Sequence, residues 1–250
     1  TKQEKTIQDR NRLLLLFGLS GVIVLGFLIF SVYMNQYRKK TNKSLKQKQA
    51  IINEGLAYGR FVKEKLMISK PEVLTNKNLK HFIYNKPKHG VGGDFYLIKE
   101  HPAGLFVILG DATGHGVPGG FISLTVLNLF HQTLENEKDL DPAKLLDSVR
   151  SQWEAYSNAQ NKYDESFTAS VACINKQSLK LANHKQKAIL YKEGVIIHEG
   201  KKSAFSEEIL QNEYSIKIGD WLILSSDGYY DQIGGMKGKT YKFKQFSSFI

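Results

Sequence analysis

The sequence predicts an α+β domain built on antiparallel sheets and carried behind one membrane-spanning helix. Three observations predict it. An uncharged apolar run of 22 residues lies near the start, from Leu13 to Met34. From Lys77 onward the hydrophobic spacing changes from about 3.6 residues to about 2. The period-2 runs are joined by turns far shorter than the crossover of about a dozen residues that parallel strands require.

The apolar run, "LLLLFGLSGVIVLGFLIFSVYM", would reach roughly 33 Å at 1.5 Å per residue, against a hydrocarbon core of about 30 Å. A core helix of that length carries a polar stripe, which this run lacks. A signal peptide has a shorter apolar region, of about 7 to 15 residues, followed by a small-residue cleavage site. Residues 13–34 are therefore expected to form a transmembrane helix. The flank after it holds Arg38, Lys39, Lys40, Lys43, Lys46 and Lys48 with no acidic residue, whereas the flank before it mixes Lys5, Arg10 and Arg12 with Glu4 and Asp9. The positive-inside tendency places the larger, C-terminal part in the cytoplasm. Residues 1–12, opening on Thr1, are expected to be the remnant of an upstream extracytoplasmic region, with a sensor as the natural guess.

Residues 35–70 read as a basic juxtamembrane segment, able to rest on anionic lipid, followed by a linker helix. In the linker, Ile51, Tyr58, Val62 and Leu66 recur at helical spacing, which suits either pairing with a second copy or docking onto the chain's own domain. Pro71 closes that helix, and residues 71–250 form the domain. There, Phe95 to Lys99 and Leu105 to Gly110 form a hairpin around "EHPAG". Val117 to Leu134 is a helical pattern with Pro118 in its first turn, and a second helix, Pro142 to Asn158, is capped by Asp141. Strands are expected at 167–174, 179–182, 188–192, 195–198, 214–216 and 221–225. Two helices thus stand together between an early hairpin and a later meander.

Charge narrows the function classes. The net charge of +11 is concentrated at the start: residues 1–48 hold ten Lys/Arg against two Asp/Glu, leaving 25 against 22 elsewhere. The folded part is nearly neutral, so the high pI does not mark a nucleic-acid-binding face. The single Cys173 forms no disulfide framework and reads as a small buried hydrophobe.

Acidic residues mark the expected strand ends. Asp94 opens the first hairpin strand, Asp111 follows the second, and Asp227 follows the last, in "DWLILSSDGYYDQIGG". Paired antiparallel strands bring Asp94 and Asp111 to one rim. Carboxylates without companion Cys, with only His115 nearby, make a hard-oxygen site suited to Mg²⁺ or Mn²⁺ and poorly suited to zinc. The glycines at 92, 93, 110, 114, 116 and 228 let backbone approach closely, so that a main-chain carbonyl or a phosphate oxygen can share the site. The competing reading of each aspartate alone is a turn residue. The pattern is compatible with two-metal hydrolysis, and spacing does not identify the substrate.

Four ordered segments carry a resemblance: "KPKHGVGGDFY", "GDATGHGVPGGF", "ANHKQKAILYKEG" and "GDWLILSSDGYYDQIGG". Across about Lys86 to Gly235 they resemble the successive motifs of the SpoIIE and RsbU branch of the metal-dependent PPM-type protein serine/threonine phosphatases. The helix "INEGLAYGRFVKEKLM" resembles the linker that often precedes such domains. The resemblance implies an antiparallel β-sandwich flanked by helices (αββα) and two Mn²⁺ or Mg²⁺ ions. By position, Asp111 matches the carboxylate that bridges the ions, the Ala112 carbonyl the backbone ligand beside it, and Asp94 and Asp227 further ligands. Gly114 and Gly116 fall in the phosphate loop, and Asp231 in a more distant or third-metal role. The implied nucleophile is a metal-activated water, with no catalytic side chain beyond it unless His115 serves as an acid; His89 and His131 read as bystanders.

The resemblance also implies a phosphorylated regulatory protein of the anti-anti-sigma type as substrate; joined to the apolar run and its flanks it describes a single-pass phosphatase of the bacterial cytoplasmic membrane facing the cytoplasm, able to form a homodimer through the linker helix. It implies no nucleic-acid partner. One departure limits it. The branch usually ends with a paired acidic motif supplying another ligand, and the chain stops at Ile250 before one. A pseudophosphatase that holds a phosphoprotein without cleaving it, and a membrane scaffold with structural glycine turns, stay open beside the enzyme.

Overall fold

The computed structural model describes residues 2–67, 79–87, 90–158, 166–199, 209, 211–234 and 238–249. Pro71 and His89 lie outside the described residues. The chain divides into two compact units, Thr1–Gly55 and Leu56–Ile250.

In the first unit the chain is entirely helical. Helix α1 is continuous over Lys2–Met67, where the sequence predicts a span and a separate linker. The residues after Met34 explain the continuity: they contain no proline and are rich in Lys and Gln, both good helix formers. An 18-residue window of α1 has a mean hydropathy of 2.8 and is long and apolar enough to cross a membrane. Its large side chains, such as Leu16, Phe17, Ile23 and Phe27, are exposed.

Among the described residues the second unit holds two larger antiparallel sheets and one short two-stranded ladder near its end. Strands β1 (Phe95–His101), β2 (Gly104–Ala112), β3 (Phe167–Ile174), β4 (Ser178–His184) and β7 (Gln211–Ser215) form a five-stranded sheet in the order β1-β2-β3-β4-β7. Strands β5 (Ala188–Lys192), β6 (Val195–Glu199) and β8 (Trp221–Leu224) form a second sheet, ordered β6-β5-β8. Helices α2 (Gly116–Asn136) and α3 (Pro142–Asn158) lie between β2 and β3 in sequence, as the sequence predicts. Asp141 caps α3 by accepting from Lys144 N–H at 2.9 Å.

Two apolar layers hold the unit together. Phe95, Leu97, Phe106 and Ile108 of the first sheet pack against Val126, Leu127 and Phe130 of α2 and Leu145, Leu146 and Val149 of α3. Fully burying side chains of this size contributes about 1.5–3 kcal/mol each. Between the sheets, Ala172, Leu179 and Leu181 meet Ala188, Leu190, Leu222 and Leu224. The alternation along β2 assigns its two faces: Phe106, Ile108 and Ala112 point to the helices, while Val107 points toward the second sheet.

Several boundaries differ from expectation for identifiable reasons. Asp111 lies inside β2 and not after it, because β3 keeps pairing as far as Asp111↔Thr168 and Ala112↔Phe167. Strand β7 falls at Gln211–Ser215, upstream of the expected 214–216, since it pairs with β4 from Ser178↔Ser215 to Ala182↔Gln211. The three-residue link after β4 was expected to join paired neighbours; it carries the chain from one sheet to the other. After Leu224 come a short helix α4 (Asp227–Tyr230), the two-residue strands β9 (Ile233–Gly234) and β10 (Lys239–Thr240), and helix α5 (Phe243–Phe249), none of which the sequence pattern signals.

Candidate functional site

The hairpin register builds the first half of the site. Phe95 faces Gly110, so one residue further out Asp94 stands opposite Asp111 at the same rim. Gly110 is required here because any Cβ would meet the Phe95 ring. Gly93 accepts the Ala112 N–H at 3.3 Å. A side chain at Gly93 would come within 2.7 Å of Asp111 Oδ1, and closer still to the Ala112 carbonyl oxygen. The Gly92–Gly93 turn is thus pressed against the two groups, Asp111 and Ala112, that the sequence singles out.

The second half comes from the other sheet. Strand β8 ends beside Ala188 of β5, and Asp227 opens α4 three residues later. A Cβ at Gly228 would lie 3.4 Å from Asp94 Oδ2, which puts the first turn of α4 beside the Asp94 carboxylate. Asp231 ends α4, its N–H donating to the Asp227 carbonyl at 2.8 Å.

Electrostatics show that these groups share one environment. Burial, then the charges of Asp94 and Asp227, push the Asp111 carboxyl up from 3.8 to about 7, against an opposing pull from Lys63. The Tyr230 hydroxyl is pushed up to about 12 by burial and by Asp227, Asp231, Asp111 and Asp94. Asp94 Oδ1 is buried without a hydrogen-bond partner, an arrangement that is costly unless a cation or water completes it. Among the described residues, no three His, Cys, Asp or Glu side chains stand close enough to enclose a metal as they are placed. The orphaned oxygen, the raised Asp111 and a rim of carboxylates with no Cys among the described residues beside them fit a hard divalent cation.

The glycine loop follows directly. Thr113 is tied to Ser166 by its N–H at 2.8 Å and its hydroxyl at 2.6 Å to the Ser166 carbonyl. Gly114 adopts φ +96, a conformation that favours glycine, and Gly116, at φ +65, begins α2. His115 is the N-cap of α2 in an extended conformation, and its side chain makes no capping hydrogen bond. His131 donates from Nε2 to the Leu66 carbonyl, 2.7 Å away, and its Nδ1 lies 3.4 Å from Lys99 Nζ; these contacts are with the end of α1 and with β1.

Two residues escaped the sequence reading. Lys63, 4% exposed, donates to the Gly92 carbonyl at 2.5 Å and to Ser123 Oγ at 2.6 Å. Burial lowers its ammonium to about 8, while Asp94 and Asp111 pull the other way. Its signal was present: Lys63 falls on the stripe that also carries Leu66 and Met67, so a lysine occupies the face the helix buries. The second, Tyr230, follows Asp227 by one helical turn. A cavity of about 10 Å³ behind Asp94, lined in part by Arg60, Lys63, Asn85 and Gly92, has room for about one water.

Comparison with known proteins places this arrangement. The fold matches the SiaA-PP2C domain of Pseudomonas aeruginosa with a TM-score of 0.69 at 24% identity, covering 80% of this chain and 82% of that one. Two structures of a bacterial serine phosphatase carrying point mutations match with TM-scores of 0.51 and 0.50, at 16% and 17% identity. They cover 68% and 59% of this chain, and 82% and 76% of theirs. At these identities the likeness is one of fold. A search of curated proteins finds no match. Residues 101–250 match the family described as Stage II sporulation protein E (SpoIIE). With more than half of its length matched, and with the PP2C fold around its carboxylate rim, the chain belongs to the SpoIIE family.

Proposed function

We propose that the protein is a membrane-anchored signalling phosphatase that hydrolyses phosphoserine or phosphothreonine on a regulatory protein. The observation that carries this reading is the Asp94–Asp111–Asp227 rim, where a partly buried carboxyl with a raised pKa and an orphaned carboxylate oxygen stand together. Asp94, Asp111, Asp227 and the Ala112 carbonyl would hold Mn²⁺ or Mg²⁺, with Asp231 further out. Such ions, when bound, polarise a phosphate oxygen and make water a competent nucleophile at neutral pH.

The chain's own residues do the rest. Gly114 and Gly116 leave room for the phosphate beside the rim, because neither projects a side chain there. Lys63 and Ser123 hold the Gly92 carbonyl, and through the Gly92–Gly93 turn they fix Asp94. The Thr113–Ser166 pair holds the loop on the Asp111 side. Water attack with a carboxylate-held cation needs no covalent enzyme intermediate, so no Ser or Cys nucleophile is required.

The apolar stretch of α1 supports a single pass through the bacterial cytoplasmic membrane with the phosphatase unit inside. Membership of the SpoIIE family supports a partner-switching substrate of the anti-anti-sigma type. A homodimer through α1 would let an external signal reach the site by reorienting that helix. The test is Mn²⁺-dependent hydrolysis of an aryl phosphate by the full chain in detergent, beside Asp111→Asn. Turnover that needs both Mn²⁺ and Asp111 supports the phosphatase. Metal binding without turnover points to a module that holds phosphoprotein without cleaving it, and absence of both refutes the site.

A further inference from the structure

Asp111 lies on the first sheet and Asp227 on the short helix that follows β8 of the second, and the two repel each other, so something must fix their separation. The layer between the sheets is mostly apolar, from Val107 and Leu179 to Leu222, and apolar contact is not directional. Toward the carboxylate end it turns polar. Ser170 Oγ donates to Asn183 Oδ1 at 2.6 Å. Beyond it lies Gln186, 6% exposed, in the link of residues 185–187 that carries the chain from β4 to β5.

That link is held at each residue. Lys185 turns with φ +53, and Lys187 Nζ sits 4.4 Å from the Phe243 ring centroid. The Gln186 amide oxygen accepts from Thr168 Oγ1 at 3.4 Å, and its Nε2 donates to the Ser225 carbonyl at 3.4 Å. Thr168 is the cross-strand partner of Asp111, and Ser225 precedes Asp227 by two residues. One amide therefore touches the cross-strand partner of Asp111 on the first sheet and the residue just past β8, two before Asp227.

We propose that Gln186 is a positioning residue which, by bridging Thr168 and Ser225 across the two sheets, sets the separation of Asp111 and Asp227 and with it their affinity for a divalent cation. The inference rests on the metal reading given above. An apolar side chain would fill the same space and hold the sheets equally well. A glutamine adds direction, with one acceptor and one donor fixed by the partners on either side. Partners bonded directly to the ligands change metal affinity by about 10–100-fold when removed, and Gln186, one bond further out, belongs at the lower end of that range.

The experiment is calorimetric titration of the full chain in detergent with Mn²⁺, using Gln186→Met, Thr168→Val and the double variant. Gln186→Met keeps length and burial while removing both bonds, so it is expected to weaken Mn²⁺ binding about tenfold or more with little change in melting temperature after EDTA treatment. Thr168→Val cuts the same bridge from the other end, and the double variant is expected to be no weaker than Gln186→Met alone, as for groups acting through one interaction. Unchanged Mn²⁺ affinity in either folded single variant, or strictly additive losses, overturns the proposal; if Gln186→Met fails to fold, Thr168→Val decides alone. A wild-type chain that binds no Mn²⁺ overturns the metal reading itself, and the proposal with it.

Discussion

Lys63→Met removes a buried ammonium and keeps its apolar stem, and the structure fixes both the size and the pH dependence of the result. Lys63 donates to Gly92 O at 2.5 Å and to Ser123 Oγ at 2.6 Å, bonds worth about 1.5–3 kcal/mol each when the donor is charged. Burial opposes them. The fall from 10.5 to about 8 means that the charged form is penalised by about 3 kcal/mol relative to the unfolded chain. The two effects nearly cancel, so at pH 7 the variant should be about 1–2 kcal/mol less stable than wild type. Between pH 8 and 10.5 the unfolded chain holds the Lys63 proton and the folded chain does not, so wild-type stability rises with pH through that window. At pH 9.5 the linkage amounts to about 2 kcal/mol, which Lys63→Met lacks entirely. The assay is urea unfolding of EDTA-treated full chain and variant at pH 7 and 9.5, where other titrations common to both cancel. A gap that stays constant between the two pH values would refute the reasoning, because it would mean that Lys63 is not a desolvated cation.

Two further expectations follow from the same electrostatics. Asp111→Asn should abolish Mn²⁺-dependent turnover and yet stabilise the metal-free protein above pH 7. The Asp111 carboxyl is raised from 3.8 to about 7, which makes its ionisation a cost that grows as pH climbs through that window; halved for screening at a partly exposed site, it is about 2 kcal/mol. A lower melting temperature for Asp111→Asn in EDTA would contradict this. His184 is held down from 6.5 to about 4 by burial, then by Lys185 and Arg150, so the folded chain resists a proton that the unfolded chain takes up. Stability should fall as pH drops from 6.5 toward 4, by about 1–2 kcal/mol after screening, and His184→Gln should flatten that limb in an acid-unfolding series.

The sheets were legible because alternation is a local signal, and β3 and β5 fall where the pattern puts them. Strand ends were less legible: Asp111 is in a strand only because Thr168, 57 positions later, pairs with it. The sheet partition was hidden for a similar reason. A three-residue link after His184 looks like a hairpin turn until Gln186 and the apolar layer show that it crosses between sheets. Within the site, Asp94, Asp111 and Asp227 stood out because acidic residues beside glycines at strand ends are chemically conspicuous. Lys63 did not, because its partners are a carbonyl and a hydroxyl 29 and 60 residues away. Short segments such as α4 and α5 carry too few residues for any periodicity to show.

The carboxylates are held with unequal firmness, and this bears on how the site would work. Asp94 immediately precedes β1 and Asp111 lies in β2, strands whose inner faces, Phe95 and Phe106 among them, are fully buried, and each has a further tie, Lys63 through Gly92 or Thr113 to Ser166. Asp227 sits on a four-residue helix with no buried residue. That helix is supported by the Lys242 N–H to the Tyr230 carbonyl at 2.6 Å and by the packing of Tyr229 and Tyr230 on Phe243 and Phe246. Asp227 is therefore positioned by the Gln186 bond to the Ser225 carbonyl and by the packing of α4 on α5, whereas Asp94 and Asp111 are positioned from the first sheet. On the proposed reading, Asp94, Asp111 and Asp227 would hold the cation together, and the relief of their mutual repulsion would stabilise the folded unit besides supplying the water activation.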